Sequence, residues 1–206
     1  MYKIYGFPTF NPIKVLLTAE ELGVDYEYIA LDAAAGEHKK PAHLERHPLG
    51  KFPAMEHRGK FFIESASLCR YLANTNNKRM YSSDPAEAAI IDQTMDLVAH
   101  HIGRWLGVHY WQEVVLAKML KKEIDPEAVA EAKGWLEKHL PTIEDLANKN
   151  TFLCGDVVTI ADTYTLAYFQ TCEHTSASFD NFPGIVRWYE MMNSRPAADK
   201  VRALLK

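Results

Sequence analysis

The sequence predicts an α/β domain followed by an all-helical one. Three observations carry this. Strand and helix signals alternate through residues 1–76, and a polar tract, "NTNNKRMYSSDP", follows. Beyond it the apolar residues recur at helical spacing with no convincing strand. The expected boundaries are 1–76 for the first domain, 77–86 for a linker and 87–206 for the helical domain.

The first domain reads element by element. "KIY" (3–5) is short and β-prone. "NPIKVLLTAEELG" reads as a helix with Asn11 as N-cap, Pro12 in its first turn and Gly23 as its stop. "YEYIAL" (26–31) is the next strand. A strand, helix and strand within about thirty residues form a βαβ unit, which should be parallel and right-handed. "PAHLERHPLG" is a short helix or turn. "FPAME" and "KFFI" flank "HRG", a hairpin signal. "SASLCRYLANT" closes the domain as a helix with Ser65 as its candidate cap.

In the second domain, Asp84-Pro85-Ala86-Glu87 is a helix-start signature. "AAIIDQTMDLVAHHIGRWLGVHYWQEVV" is a long helical pattern. "PEAVAEAKGWLEKHLPTIEDLANK" is another, with Pro141 allowing a kink. Thr159 and Asp162 in "VTIAD" have capping-box spacing, and "GIVRWYEMMNSRP" is a last full helix.

Composition narrows the function. The net charge of -4 and pI of about 6.1 disfavour a nucleic-acid binder. No apolar run reaches the ~20 residues that span a bilayer, and the N-terminus lacks the apolar core of a signal peptide. Three cysteines, Cys69, Cys154 and Cys172, show no CxxC spacing, which disfavours a disulfide framework or zinc site and fits a reducing cytoplasm. His100, His101 and His109 come without a nearby carboxylate or cysteine cluster, so no metal is expected.

The stretch "GEHKKPAHLERHPLGKFPAMEHRGKFFIESASLCRYLA" (36–73) resembles the cytosolic glutathione transferases, above all their phi class and more loosely the bacterial nu class. "TIAD" and "NSRPAA" resemble further motifs of that family, and the similarity runs through nearly the whole chain. It implies a thioredoxin-like α/β N-terminal domain and an all-α C-terminal domain lining the electrophile site. It also implies glutathione as co-substrate and a cytoplasmic homodimer without nucleic-acid or membrane partners.

The resemblance gives roles to specific residues. Pro53 would be cis, with the Phe52 backbone pairing the cysteinyl part of glutathione like an added strand. Ser65, at a helix N-terminus that favours anions, would hold the γ-glutamyl carboxylate, and Glu64 its ammonium. His38, Lys39 and Lys51 align with positions that hold the glycyl carboxylate. Without that context, Glu64 and Ser65 read as an exposed acid and a helix cap, and His38-Lys39-Lys40 as a solvated basic loop.

A hydrogen-bond donor must stand near the sulfur. A free thiol titrates near ~8.5, and lowering it by two units needs roughly 2.7 kcal/mol, within reach of charge-assisted hydrogen bonds at a helix N-terminus. Thr9 falls where phi-class members have their catalytic serine, and Asn11 where nu-class members place an asparagine. Tyr5 is a third candidate, though it reads as part of the first strand. No cysteine lies in 9–12, which argues against chemistry through a protein mixed disulfide. His101, Trp105 and His109 stand one turn apart, and Trp105, His109, Tyr110 and Trp111 are the expected lining of a wide apolar electrophile site, if they are not core. The expected function is conjugation of glutathione to hydrophobic electrophiles, with peroxide or disulfide reduction as a possible addition. The alternatives are a non-catalytic interaction module of the same fold and a carrier of apolar compounds.

Overall fold

A computed structural model describes residues 1–205. The first domain holds a four-stranded sheet in the order β2-β1-β3-β4. β1 (Tyr2–Gly6) and β2 (Tyr26–Ala30) are parallel and joined through α1 (Phe10–Leu22). β3 (Ala54–His57) runs antiparallel to β1 and pairs with β4 (Lys60–Ile63). The β3–β4 register leaves Arg58 and Gly59 as a two-residue turn. Both have positive φ (52° and 72°), which matches the right-handed twist of the flanking strands. A one-turn helix, α2 (Pro41–Leu44), precedes β3, and α3 (Ser65–Thr75) follows β4.

Two caps differ from the sequence expectation. The N-cap of α1 is Thr9, whose backbone is extended (φ -130°, ψ 167°), and Asn11 lies inside the first turn. A cap needs non-helical φ/ψ, and the helical turn here opens one residue before "NP". Likewise Glu64, not Ser65, occupies the N-cap position of α3, without a side-chain cap hydrogen bond, and Ser65 is the first helical residue. Gly23 ends α1 as expected, in the left-handed conformation, and the amides of Gly23 and Val24 close the last turn on Glu20 and Ala19.

The rest of the chain is helical. Asp84 caps α4 (Pro85–Leu97), accepting from the N–H groups of Ala86 (2.9 Å) and Glu87 (3.0 Å). Without a break α4 becomes a π-helical stretch, Val98–Gly103, then α5 (Arg104–His109), then a second π-helical stretch, Tyr110–Met119. α6 (Pro126–Lys149) continues through Pro141. α7 (Ile160–Phe169) is buried at every position, and α8 (Pro183–Asn193) and α9 (Pro196–Leu204) pack around it and α1.

The position of α1 decides the site. It packs against α3 in its own domain and against α7 and α9 of the helical part. In the fold Lys14, Val15, Leu16, Leu17, Thr18 and Ala19 are all buried. The two domains therefore share α1. The Thr18 and Thr163 hydroxyls lie 2.8 Å apart, and Arg195 forks onto Glu21 at 2.5 and 2.8 Å.

Candidate active site

A cavity of about 230 Å³ opens where the N-terminus of α1, the loop before β3 and the N-terminus of α3 converge on α7. Asn11, Lys51, Phe52, Pro53, Glu64 and Ser65 line it, with His47, Tyr164 and Tyr168. The Phe52–Pro53 peptide is cis, as the resemblance implies. The loop is pinned from behind by His43, whose Nε2 lies 2.7 Å from the Lys51 carbonyl and so donates to it. Gly50 is required in this loop. Its φ is +55°, and a Cβ there would come within 2.7 Å of the His38 carbonyl oxygen.

Glu64 is an exposed residue at the cavity with a left-handed backbone (φ 69°, ψ 110°), a conformation costly for anything but glycine. The turn delivers Ser65 to the first position of α3, where the first N–H groups have no side-chain cap. A carboxylate entering the cavity therefore meets free helix N–H groups and the Ser65 hydroxyl, and an ammonium meets Glu64.

The three candidate donors to sulfur separate. Asn11 lines this cavity. Thr9, two residues earlier, lines a different one of about 180 Å³, with Pro8, Phe10, Ile13 and Tyr110. Tyr5 is buried elsewhere; its hydroxyl donates to Glu56 (3.1 Å) and its ring lies under the Arg46 guanidinium (4.3 Å). Burial and the Glu56 hydrogen bond both push its pKa up, so it stays protonated.

His38 and Lys39 are adjacent to the cavity rather than in its lining. The His38 ring stands edge-on to Phe52 at 5.9 Å, and Lys39 Nζ donates to the Leu49 carbonyl at 3.2 Å. Burial, then the charge of Lys39, lowers the His38 pKa. Lys51 does line the cavity and is exposed.

The aromatic group assigned to the electrophile does not share one surface. Residues 105, 109, 110 and 111 turn about 100° per step around the helix, so four such positions cannot point one way. Trp105 stacks on Trp135 (5.7 Å, 6°) against α6. His109 is buried (1% exposed), with Nδ1 2.9 Å from Glu113. Trp111 is exposed. Tyr110 alone of the four reaches the Thr9 cavity, with its ring edge-on to Phe10 at 5.5 Å.

Four lining or supporting residues were missed from sequence: Lys14, His47, Tyr164 and Tyr168. His47 precedes Pro48 in a loop and is only 2% exposed; burial holds its pKa down, so it is neutral near pH 7. Lys14 lies three residues after Asn11 in the otherwise apolar run Pro12–Leu17, and that misfit was the available signal. It is fully buried and donates to Asn11 Oδ1 at 2.7 Å. Among the described residues no group of three or more His, Cys, Asp or Glu could hold a metal ion.

Residues 1–74 match the family model "Glutathione S-transferase, N-terminal domain" and residues 108–196 the model "Glutathione S-transferase, C-terminal domain". The chain is 31% identical to glutathione S-transferase 1 of Zea mays over 210 residues, covering 99% of this chain and 97% of that protein. Among solved structures, glutathione transferase F2 from Populus trichocarpa superposes with a TM-score of 0.92 at 28% identity, over 100% of this chain and 99% of that one. Glutathione S-transferase I from mais, in complex with an atrazine glutathione conjugate, superposes with a TM-score of 0.90 at 29% identity, over 99% and 97%.

Proposed function

The chain belongs to the glutathione S-transferase family, and from that membership we propose that it joins the glutathione sulfur to hydrophobic electrophiles, with Asn11 as the donor to the thiolate. One observation carries the reading: Asn11, cis-Pro53, Glu64 and Ser65 line a single cavity.

The tripeptide lies along that cavity. Its γ-glutamyl carboxylate takes the α3 N-terminus and Ser65, its ammonium takes Glu64, its cysteinyl backbone takes Phe52, and its glycyl carboxylate takes Lys51 with His38 and Lys39 nearby. The sulfur then reaches the first turn of α1. There the Asn11 amide N–H and the helix N-terminus favour the anion, and the thiol loses its proton to solvent. The thiolate attacks the electrophilic carbon, a C–S bond forms, and the leaving group departs with its electron pair. The apolar surface of Phe10 and Tyr110 beside the first turn supports an electrophile approaching from that side.

Chemistry through a protein thiol is not supported. Cys154 and Cys172 border other cavities and Cys69 is buried. Burial pushes Cys69 up to about 11 and Cys172 up to about 12. A protonated thiol is a poor nucleophile.

We further read the protein as a cytoplasmic homodimer with a detoxifying role. The free cysteines support the compartment. Exposed Phe61 (46%) and Ile90 (50%) support a covered surface. Among the described residues no helix is long and apolar enough to cross a membrane. The test is retention on immobilised glutathione, followed by conjugation assays with aryl halides, with light scattering for the mass. Retention with turnover is expected; retention without turnover across an electrophile panel would select the non-catalytic module.

A further inference from the structure

Lys14 is a fully buried lysine in the middle of the α1–α7 interface. Its Nζ lies 3.4 Å from the ring centroid of Tyr168, 4.2 Å from Tyr164 and 5.2 Å from Phe10. Gly103 allows the cage to close, since a Cβ there would stand 2.3 Å from the Tyr168 ring. The polar side-chain partner of Nζ is Asn11 Oδ1, at 2.7 Å.

We propose that Lys14 is a positioning residue for the thiolate: it fixes the Asn11 amide with its oxygen turned inward, so that its NH2 is the group offered to the glutathione sulfur. The inference rests on reading the cavity as the glutathione site and Asn11 as its donor.

An asparagine amide has an accepting end and a donating end of nearly equal size, and turning it over exchanges them. An ammonium has only N–H groups to give, so the end of Asn11 that faces Lys14 must be the oxygen. The NH2 is then the end left for the cavity, which Asn11 lines. Without Lys14 the amide is free to turn its oxygen toward a negative sulfur, and the donor becomes a repulsive lone pair.

The inward oxygen is enforced by the charged form of Lys14, because only the ammonium lacks a lone pair that could accept from the amide. Burial draws its pKa well below the usual lysine value, against the opposing influence of Cys69 and Glu64 on α3 and at its N-terminus. The tyrosines facing it from α7 are themselves held protonated by burial. Charged, the amine offers Oδ1 only N–H groups, at 2.7 Å; neutral, it would also carry a lone pair open to the amide NH2. The three rings fix its place in either form, by cation–π attraction when charged and by packing when not.

The test is a cycle of Lys14→Met, Asn11→Ala and the double variant, each read by the ultraviolet absorbance of bound glutathione thiolate against pH. Methionine fits an aromatic cage, is unbranched and is one atom shorter than lysine. Lys14→Met is expected to raise the bound thiol pKa by about one unit, roughly a tenfold loss of rate near pH 7, with glutathione KM unchanged. In the Asn11→Ala background it should add nothing. Lys14→Arg, which also only donates, should keep the wild-type titration. If Asn11→Ala itself leaves the pKa unmoved, the reading beneath the inference fails. If Asn11→Ala moves it and Lys14→Met does not, or if the two shifts add in full, the positioning role alone is overturned.

Discussion

Trp188 donates its indole N–H to the carboxylate of Asp162 at 3.0 Å, joining α8 to the N-terminus of α7 in the middle of the helical domain. Asp162 also accepts from the N–H of Thr159 (2.8 Å), the hydroxyl of Thr159 (2.9 Å) and the N–H of Leu153 (2.8 Å). The sequence showed only a capping box. The structure shows one fully buried carboxylate holding a helix, a loop and a neighbouring helix.

Asp162→Ala should therefore cost more than an ordinary cap, which is worth about 0.5–2 kcal/mol. Its loss leaves buried donors unpaired at about 1–3 kcal/mol each. We expect a loss of at least about 3 kcal/mol, or roughly 6–12 °C in Tm for a chain of this size. Thermal unfolding measures it, and a Tm within a degree or two of wild type would refute the linking role.

Glu144 of α6 caps another helix from a distance. Its two carboxylate oxygens accept from the N–H groups of Gly184 (2.9 Å) and Ile185 (2.8 Å) at the start of α8, where Phe182 offers no side-chain cap. Burial alone would raise the Glu144 pKa, but these two N–H groups, with Asn148 and Arg187, hold it below the usual carboxylate value. A depressed folded pKa adds stability that is present above the unfolded value, near ~4.3, and is lost as pH falls through the folded one. Glu144→Gln should lower stability by about 1 kcal/mol at pH 7, in the range of a cap. The gap should close in scans carried below pH ~4. A gap that is constant with pH would mean the charge plays no part.

On the proposed reading Ser65 would hold a remote carboxylate in both the ground state and the transition state, and so would contribute uniform binding. Ser65→Ala should raise glutathione KM by roughly tenfold to a hundredfold, matching about 1.5–3 kcal/mol for a hydrogen bond to a charged group, with kcat little changed. Steady-state kinetics at saturating electrophile decide it; an unchanged KM with a collapsed kcat would contradict the assignment.

Most of the fold was legible because its signals are local. The β-α-β order, the "HRG" hairpin, the Asp84 cap and the Thr159–Asp162 spacing each sit within a few residues of what they specify. The site was legible where one stretch carries it: Phe52, Pro53, Glu64 and Ser65 lie within fourteen positions of one another. What sequence could not give was rotation. Sequence put Thr9 ahead of Asn11 as donor, and only the placement of α1 between α3 and α7 shows that the two line different cavities. The four aromatic candidates from Trp105 to Trp111 scatter because helical steps distribute them around an axis. Lys14, Tyr164 and Tyr168 meet across some 150 residues of chain, a contact with no local trace.

The central claim is that Asn11, facing the cavity of Pro53, Glu64 and Ser65, is the donor to the glutathione sulfur, and that Thr9, facing the neighbouring cavity beside Tyr110, is not. Titrating the thiolate absorbance of bound glutathione in Asn11→Ala and Thr9→Val tests it most directly. Asn11→Ala should raise the thiol pKa by at least about one unit, equivalent to about 1.4 kcal/mol, while Thr9→Val leaves it in place. A shift in Thr9→Val with none in Asn11→Ala would contradict the account.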